Sequence, residues 1–226
     1  RSPTSSGVRL VSSNSLSLSN INLIGNGTAQ IVAGSDASCG GNLRTGNNLS
    51  CVANLFLQTV TGVTLTNVDI TNGGQQGING SDVTTLAISN SNITGNGNEA
   101  FENGANFQNL KGTCTVTNTM VKDNAAYQWA MANVQNATTV NLSFTGTRTN
   151  NVFPTIDTST TEFGKTTQTN TNTNQSFLFD STAGVTGLNA TINFPGVVFR
   201  NSLPGNSILL NPIATSGSLT GTTTNT

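Results

Sequence analysis

Three segments of this chain repeat one pattern, and that repetition limits the fold more than any other feature. Val63-Thr-Leu65-Thr-Asn67-Val-Asp-Ile70 aligns with Leu86-Ala-Ile88-Ser-Asn90-Ser-Asn-Ile93 and with Cys114-Thr-Val116-Thr-Asn118-Thr-Met-Val121. Each reads apolar, small, apolar, small, Asn, two variable residues, apolar. The offsets are 23 and then 28 residues, a period that belongs to stacked, solenoidal chains. The apolar residues at i and i+2 predict a short strand with one buried face. The Asn that follows accepts a left-handed backbone at little cost and bends the chain out of the strand. Ile70, Ile93 and Val121 then start a second strand. A further turn at Asn72-Gly-Gly, Gly95-Asn-Gly and Asp123-Asn-Ala leads to a third, beginning near Ile78, Phe101 and Trp129. Leu16-Ser-Leu18-Ser-Asn20-Ile-Asn-Leu23 fits the same template, with Gly25-Asn-Gly27 at the second turn and Ile31 and Val32 as its third strand.

Winding in this way places Asn20, Asn67, Asn90 and Asn118 in one column, where stacked amides can hydrogen-bond to one another. The pattern resembles the right-handed parallel β-helix family, with pectate-lyase-like coils and an asparagine ladder. The resemblance covers about residues 15–149 and is weaker beyond. It implies an all-β, single-stranded right-handed parallel β-helix, a solenoid with three short strands per coil, with residues 1–226 as one domain. A β-sandwich of short hairpins is the competing architecture, but it has no need of an Asn at a fixed offset.

Outside the clear repeats the reading is coarser: residues 1–14 are Ser-rich and read as a lead-in to Leu16. Asn20 precedes Asn67 by 47 residues, about two coils, so one irregular coil with Leu55 and Leu57 inward is expected between them. After Val134 and Val140, Phe144 is expected where the ladder would call for Asn. Residues 149–176 read as a long loop or irregular segment, and further coils are expected over about 177–215. No terminal helix is apparent to cover an end rung, so the chain reads as a piece of a longer one or as a unit whose ends stack on a neighbour.

Composition excludes several functions. Charged residues make up 8% of the chain, the net charge is −1 and there is no histidine, which does not suit a nucleic-acid reader driven by phosphate neutralisation or a polybasic membrane patch. Hydrophobic residues are only 34%, but they fall in register, unlike those of a disordered chain. No stretch is long enough for a transmembrane helix, and the start at Arg1-Ser-Pro-Thr reads as a mature or excised form. A disulfide between Cys39 and Cys51 would stabilise by about 3 kcal/mol and favours a secreted or cell-surface location; three reduced cysteines in the cytosol are the alternative. Cys114 is expected inward, as a small hydrophobe. The cysteine spacing fits no zinc site, and neither metal nor cofactor is expected.

The family resemblance brings in, as the alternative function, a polysaccharide lyase or glycoside hydrolase acting on acidic polysaccharide, and such enzymes need clustered carboxylates. The weak candidates are Glu99, Glu102 and Asp123; surface and turn charges are the plainer reading, also for Asp69 and Asp82. Tyr127, Trp129 and Phe101 would form a sugar-stacking platform if exposed and core filler if buried. The outward side of the first strand carries Thr64, Thr66, Ser89, Thr115, Thr117 and Ser143, with Ser17 and Ser19 above, interrupted by Ala87 and Asn141. That hydroxyl face reads first as a solvated strand surface; it could also pack on a partner, contact glycans or bind ice. Asn-x-Thr/Ser sequons occur at Asn26, Asn48, Asn79, Asn92, Asn136, Asn141, Asn174 and Asn189. These features add up to an expectation of a non-catalytic structural or adhesive protein, a surface adhesin segment or a fibre subunit. Its partners would be copies of itself through head-to-tail stacking, other surface proteins or glycans, with no nucleic acid and no membrane insertion.

Overall fold

Alternating residues turn inward along the repeat, and the structure builds on that alternation. The computed structural model describes residues 6–27, 52–98, 102–146, 162–164, 177–181, 183–200, 208–211 and 216–222. Among them there are strands and no helices: β1 (Val8–Ser13), β2 (Leu16–Ile24), β3 (Ala53–Thr71), β4 (Gln76–Ser89), β5 (Asn92–Thr94), β6 (Ala105–Thr117), β7 (Met120–Lys122), β8 (Trp129–Asn133), β9 (Thr139–Thr145), β10 (Glu162–Gly164), β11 (Phe177–Ser181), β12 (Leu188–Asn193), β13 (Val198–Arg200), β14 (Ile208–Asn211) and β15 (Gly217–Thr222). All belong to one open sheet.

Every pairing is parallel and joins one repeat to the next. Along a first track Leu10, Leu57, Gly80, Phe107, Met131, Phe179 and Leu210 follow one another. Along a second, Leu16, Val63, Leu86, Cys114, Leu142 and Ile192 do so. Along a third the order is Leu23, Ile70, Ile93, Val121, Phe163 and Phe199. The expected alignment of the three repeats is therefore the observed one.

Left-handed residues mark the corners. Asn20, Asn67, Asn90 and Asn118 have φ of 54°, 53°, 49° and 47° between the second and third tracks. Ser12, Thr59, Asp82 and Asn109 hold 52° to 57° between the first and second. Gly25, Asn72, Gly95 and Asp123 hold 53° to 65° where the third track ends. The chain can thus bend without leaving the ladder, and β3 is one long strand containing two bends.

The main core is one apolar column; two small buried clusters, Ala53 with Phe56 and Ala126, Tyr127 and Ala130 with Leu178, lie apart from it. Leu57, Leu65, Ile70, Ile78, Phe107, Trp129, Phe144, Phe163, Phe177 and Phe179 are all fully buried within it. Its lower part is aromatic: Phe144 lies 5.1 Å from Trp129, 5.0 Å from Phe163, 5.6 Å from Phe177 and 5.2 Å from Phe194, ring centre to ring centre. Edge-to-face and offset contacts at these distances add to the gain from burial alone.

Four expectations change. Leu16 pairs directly with Val63, so no irregular coil lies between those repeats; Leu55 and Leu57 belong to the same turn of chain as Val63. Val8–Ser13, expected as a lead-in, is a strand paired with β3. Phe144 pairs with Val116 and is a core residue; it does not replace a ladder Asn, because Gly146 follows at that place. Opposite Ile78 and Trp129 stands Ala105 rather than Phe101. The strands β11, β12 and β14 fall where later coils were expected, and β10 lies inside the segment expected to be a loop. Cys39, Cys51, Phe101, Ile31 and Val32 lie outside the described residues.

Candidate functional site

Three groups of polar side chains stand out, and the first forms two amide columns. At the corner expected from sequence, Asn67 donates to Asn20 Oδ1 at 2.7 Å and Asn118 donates to Asn90 Oδ1 at 3.4 Å. These are two pairs on an exposed corner, and among the described residues no side-chain hydrogen bond joins Asn67 to Asn90. The continuous ladder lies at the other corner and is buried. Asn26 donates to Asn54 Oδ1 at 2.9 Å, Asn54 to Asn96 Oδ1 at 2.8 Å, Asn96 to Asn124 Oδ1 at 3.0 Å and Asn124 to Gln128 Oε1 at 2.9 Å. Each accepting oxygen also takes a backbone N–H, from Asn26, Gly73, Asn96 and Asn124 in turn. The Nδ2 groups further donate to the carbonyls of Thr71, Ile70 and Ile93. A buried polar network is stabilising when its members are satisfied in this way.

Glycine makes room for this ladder. A Cβ on Gly73 would lie 2.7 Å from the Asn54 amide nitrogen, and one on Gly77 would lie 2.8 Å from that of Asn96. Asn and Gly thus face each other across the turn, the amide coming now from one side and now from the other. The Asn26, Asn96 and Asn124 turns were visible in the sequence as turns. The Asn–Gly exchange across them is the signal that would have revealed the ladder.

The second group is the outward side of the second track. Pairing places Ser19, Thr66, Ser89, Thr117 and Thr145 in one column, and Ser17, Thr64, Ala87, Thr115 and Ser143 in another. Ser89 Oγ donates to Thr66 Oγ1 at 3.3 Å, and the Thr117 and Thr145 hydroxyls lie 2.9 Å apart. Ser17, Thr64 and Thr115 are exposed. The Ser143 column continues to Asn193 and Thr222, and Thr113, Asn141, Thr191 and Thr220 form a third column beside it. Among the described residues no charged side chain stands on this face, and Lys111 lies at its border.

Charged groups are placed elsewhere. Glu102 is buried and its carboxylate accepts the Asn98 N–H, while Asp123 is half-buried at a left-handed corner. Glu99 lies outside the described residues. Asp69 accepts a 2.6 Å hydrogen bond from Asn92, its neighbour on the adjacent rung. Lys111 bridges Asp82 at 3.1 Å and Gln135 at 2.7 Å. Among the described residues no three His, Cys, Asp or Glu side chains are grouped to hold a metal. Tyr127 and Trp129 are buried and offer no exposed stacking platform. Cys114 is inward, as expected; burial pushes its thiol from 9.0 up to about 11, with the backbones of Leu86 and Thr85 opposing the rise. No helix among the described residues is long and apolar enough to cross a membrane.

No protein-family model, curated protein or solved structure matches this chain.

Proposed function

We propose that this chain is a right-handed parallel β-helix with three strands per coil, and that it serves as a non-catalytic structural or adhesive element of a secreted or cell-surface protein. The handedness follows from the general rule that parallel strands in one sheet are joined by right-handed crossovers in about 98% of cases. The three pairing tracks and three left-handed corner columns support the coil.

The observation that carries the role is the state of the end rungs. Val8, Leu10, Leu16, Leu18 and Ile21 are only half-buried although they point at the core, as are Ile208, Leu210 and Leu219 at the far end. One rung further in, Leu57, Leu65 and Val68 are fully buried. Among the described residues β1, β2, β14 and β15 each pair with one strand, and an apolar column that ends on such rungs suits another coil above and below, through main-chain pairing. That coil is supplied by flanking chain in a surface adhesin or by a second copy in a fibre. Other surface proteins or glycans would meet the sides.

Electron microscopy of the purified chain, with size-exclusion chromatography over a range of concentrations, tests the stacking form. End-to-end oligomers or filaments are expected. A compact particle of constant size at every concentration would remove copy-on-copy stacking from the proposal.

A further inference from the structure

The buried amide ladder has a direction, and its two ends differ. Each acceptor below the first rung takes two donors from the rung before it, a side-chain amide and a backbone N–H. Asn96 Oδ1 takes Asn54 Nδ2 at 2.8 Å and Gly73 N at 3.1 Å; Asn124 Oδ1 takes Asn96 Nδ2 and N, both at 3.0 Å. Asn26, on the first rung, passes the same pair of donors to Asn54 Oδ1. Its own Oδ1 accepts no hydrogen bond among the described residues, although Asn26 is only 8% exposed. We propose that this upper end, formed by β1, β2 and the Asn26 turn, docks a parallel β-coil of a partner that lays an asparagine or glutamine amide on Asn26 Oδ1.

The rung of β4 and β5 shows what belongs there. In it Gly77 faces Asn96 across the turn, where a Cβ would lie 2.8 Å from Asn96 Nδ2; Gly7 faces Asn26 in the same way, at 2.5 Å. Both asparagines pass a backbone N–H and an amide to the next rung. Above Asn96 lies β3, with Asn54 near its start and Gly73 just past its end. The fitting partner coil therefore carries an amide and a backbone N–H at those two places. A second observation points to the same end. Among the described residues the large exposed hydrophobics are Val11 and Ile24, on β1 and β2. Water can hydrate a lone oxygen, but covering these side chains and the half-buried Val8, Leu10 and Leu16 favours an apolar-cored coil.

This inference rests on the reading of the end rungs as docking surfaces, and it narrows what docks. A second copy fits less well. Among the described residues the ladder stops at Gln128, whose Nε2 turns back to Ala126 O at 3.3 Å, so β14 and β15 offer main chain but no ladder amide. Two copies meeting by their upper ends would bring one Asn26 oxygen against the other, with each Nδ2 already given to Asn54. A buried acceptor left without a donor in this way is costly.

The chain's own second rung serves as the probe. Residues 53–75 are duplicated ahead of Arg1 in the full chain, so that tethering supplies a high local concentration. One version is unchanged and the other carries Asn54→Ala in the duplicate alone. Hydrogen exchange of the β1 and β2 amides is measured, together with the NMR resonance of the Asn26 side-chain carbonyl carbon. The unchanged coil should slow that exchange by about tenfold or more, since each buried hydrogen bond gained shifts the opening equilibrium severalfold. It should also shift the Asn26 resonance, and the Asn54→Ala coil should lose most of both effects. Equal effects from the two coils, or none from the first, overturn the proposal. So does an unextended chain that reaches the same protection and the same Asn26 shift at high concentration, which assigns the end to a second copy. Filaments of the unaltered chain beside an inert coil would leave end-to-end stacking standing and remove only this partner. A protective coil on a chain that never self-associates would do the opposite.

Discussion

At the residue scale the two amide columns should behave oppositely under mutation. Asn96 accepts from Gly73 N and Asn54 Nδ2 and donates to Ile70 O and Asn124 Oδ1, all in the interior. Asn96→Ala strands several buried groups, each costing about 1–3 kcal/mol, so a loss of roughly 3 kcal/mol or more in denaturant unfolding is expected. Gly77→Ala should be similarly harmful, because its methyl group would press on the backbone carbonyl of Gly104 and on the Asn96 amide. Asn67 sits exposed at φ 53°, a conformation glycine adopts without cost, so Asn67→Gly should change stability by less than about 1 kcal/mol. Cys114 adds a pH dependence. Its folded pKa is raised, so its contribution is fully present below 9.0 and is lost as pH rises towards about 11. A shift of that size corresponds to about 3 kcal/mol. The unfolding free energy of the unaltered chain should therefore fall across this window relative to Cys114→Ala; parallel curves would contradict it.

At the element scale the inward strand positions do unequal work. Phe144 on β9 touches rings from β8, β10, β11 and the turn after β12. It is therefore the point where the three tracks of the lower coils meet. Phe144→Ala should cost about 3–5 kcal/mol, read by calorimetry, and Leu18→Ala in the half-buried first rung should cost clearly less. The strands of the regular repeats were legible because an inward residue at i and i+2 followed by Asn is a local signal. Phe144 was misplaced because it was aligned through the turn before it; its partner Val116 shows it to be an ordinary inward residue. The rung count was misread for a related reason. Leu16 and Val63 are 47 residues apart, close to one repeat more than the 23 between Val63 and Leu86, so the extra length read as a coil. Pairing of Leu16 with Val63 depends on which edge is free, which no local pattern records. The buried ladder was hidden because its amides alternate across the turn, Asn54 on one side and Asn96 on the other, so no single offset repeats. The outward hydroxyls were legible position by position, but their shared plane depends on the register of strands far apart in sequence.

At the scale of the whole molecule, stability should be distributed along the stack. In a structure where each rung touches only its neighbours, stability is close to a sum of rung and interface contributions, and opening starts at the ends. The inward residues of β3, β4 and β6 are almost wholly buried, whereas those of β1, β2, β14 and β15 are only half-buried apart from Leu23. The buried amide ladder also runs through the upper and middle rungs, from Asn26 to Gln128. Native-state hydrogen exchange should consequently be slowest for backbone amides in β3, β4 and β6 and fastest at β1 and β15, with intermediate values on β9 and β12. Local opening energies should rise inwards from both ends, since fraying needs only the outer interface to break. A uniform exchange rate across all rungs would mean that the stack opens as one unit. If association then covers the end rungs, protection of β1, β2, β14 and β15 should rise with protein concentration while that of β4 stays constant. That selective change separates capping by a second copy from a general tightening of the fold.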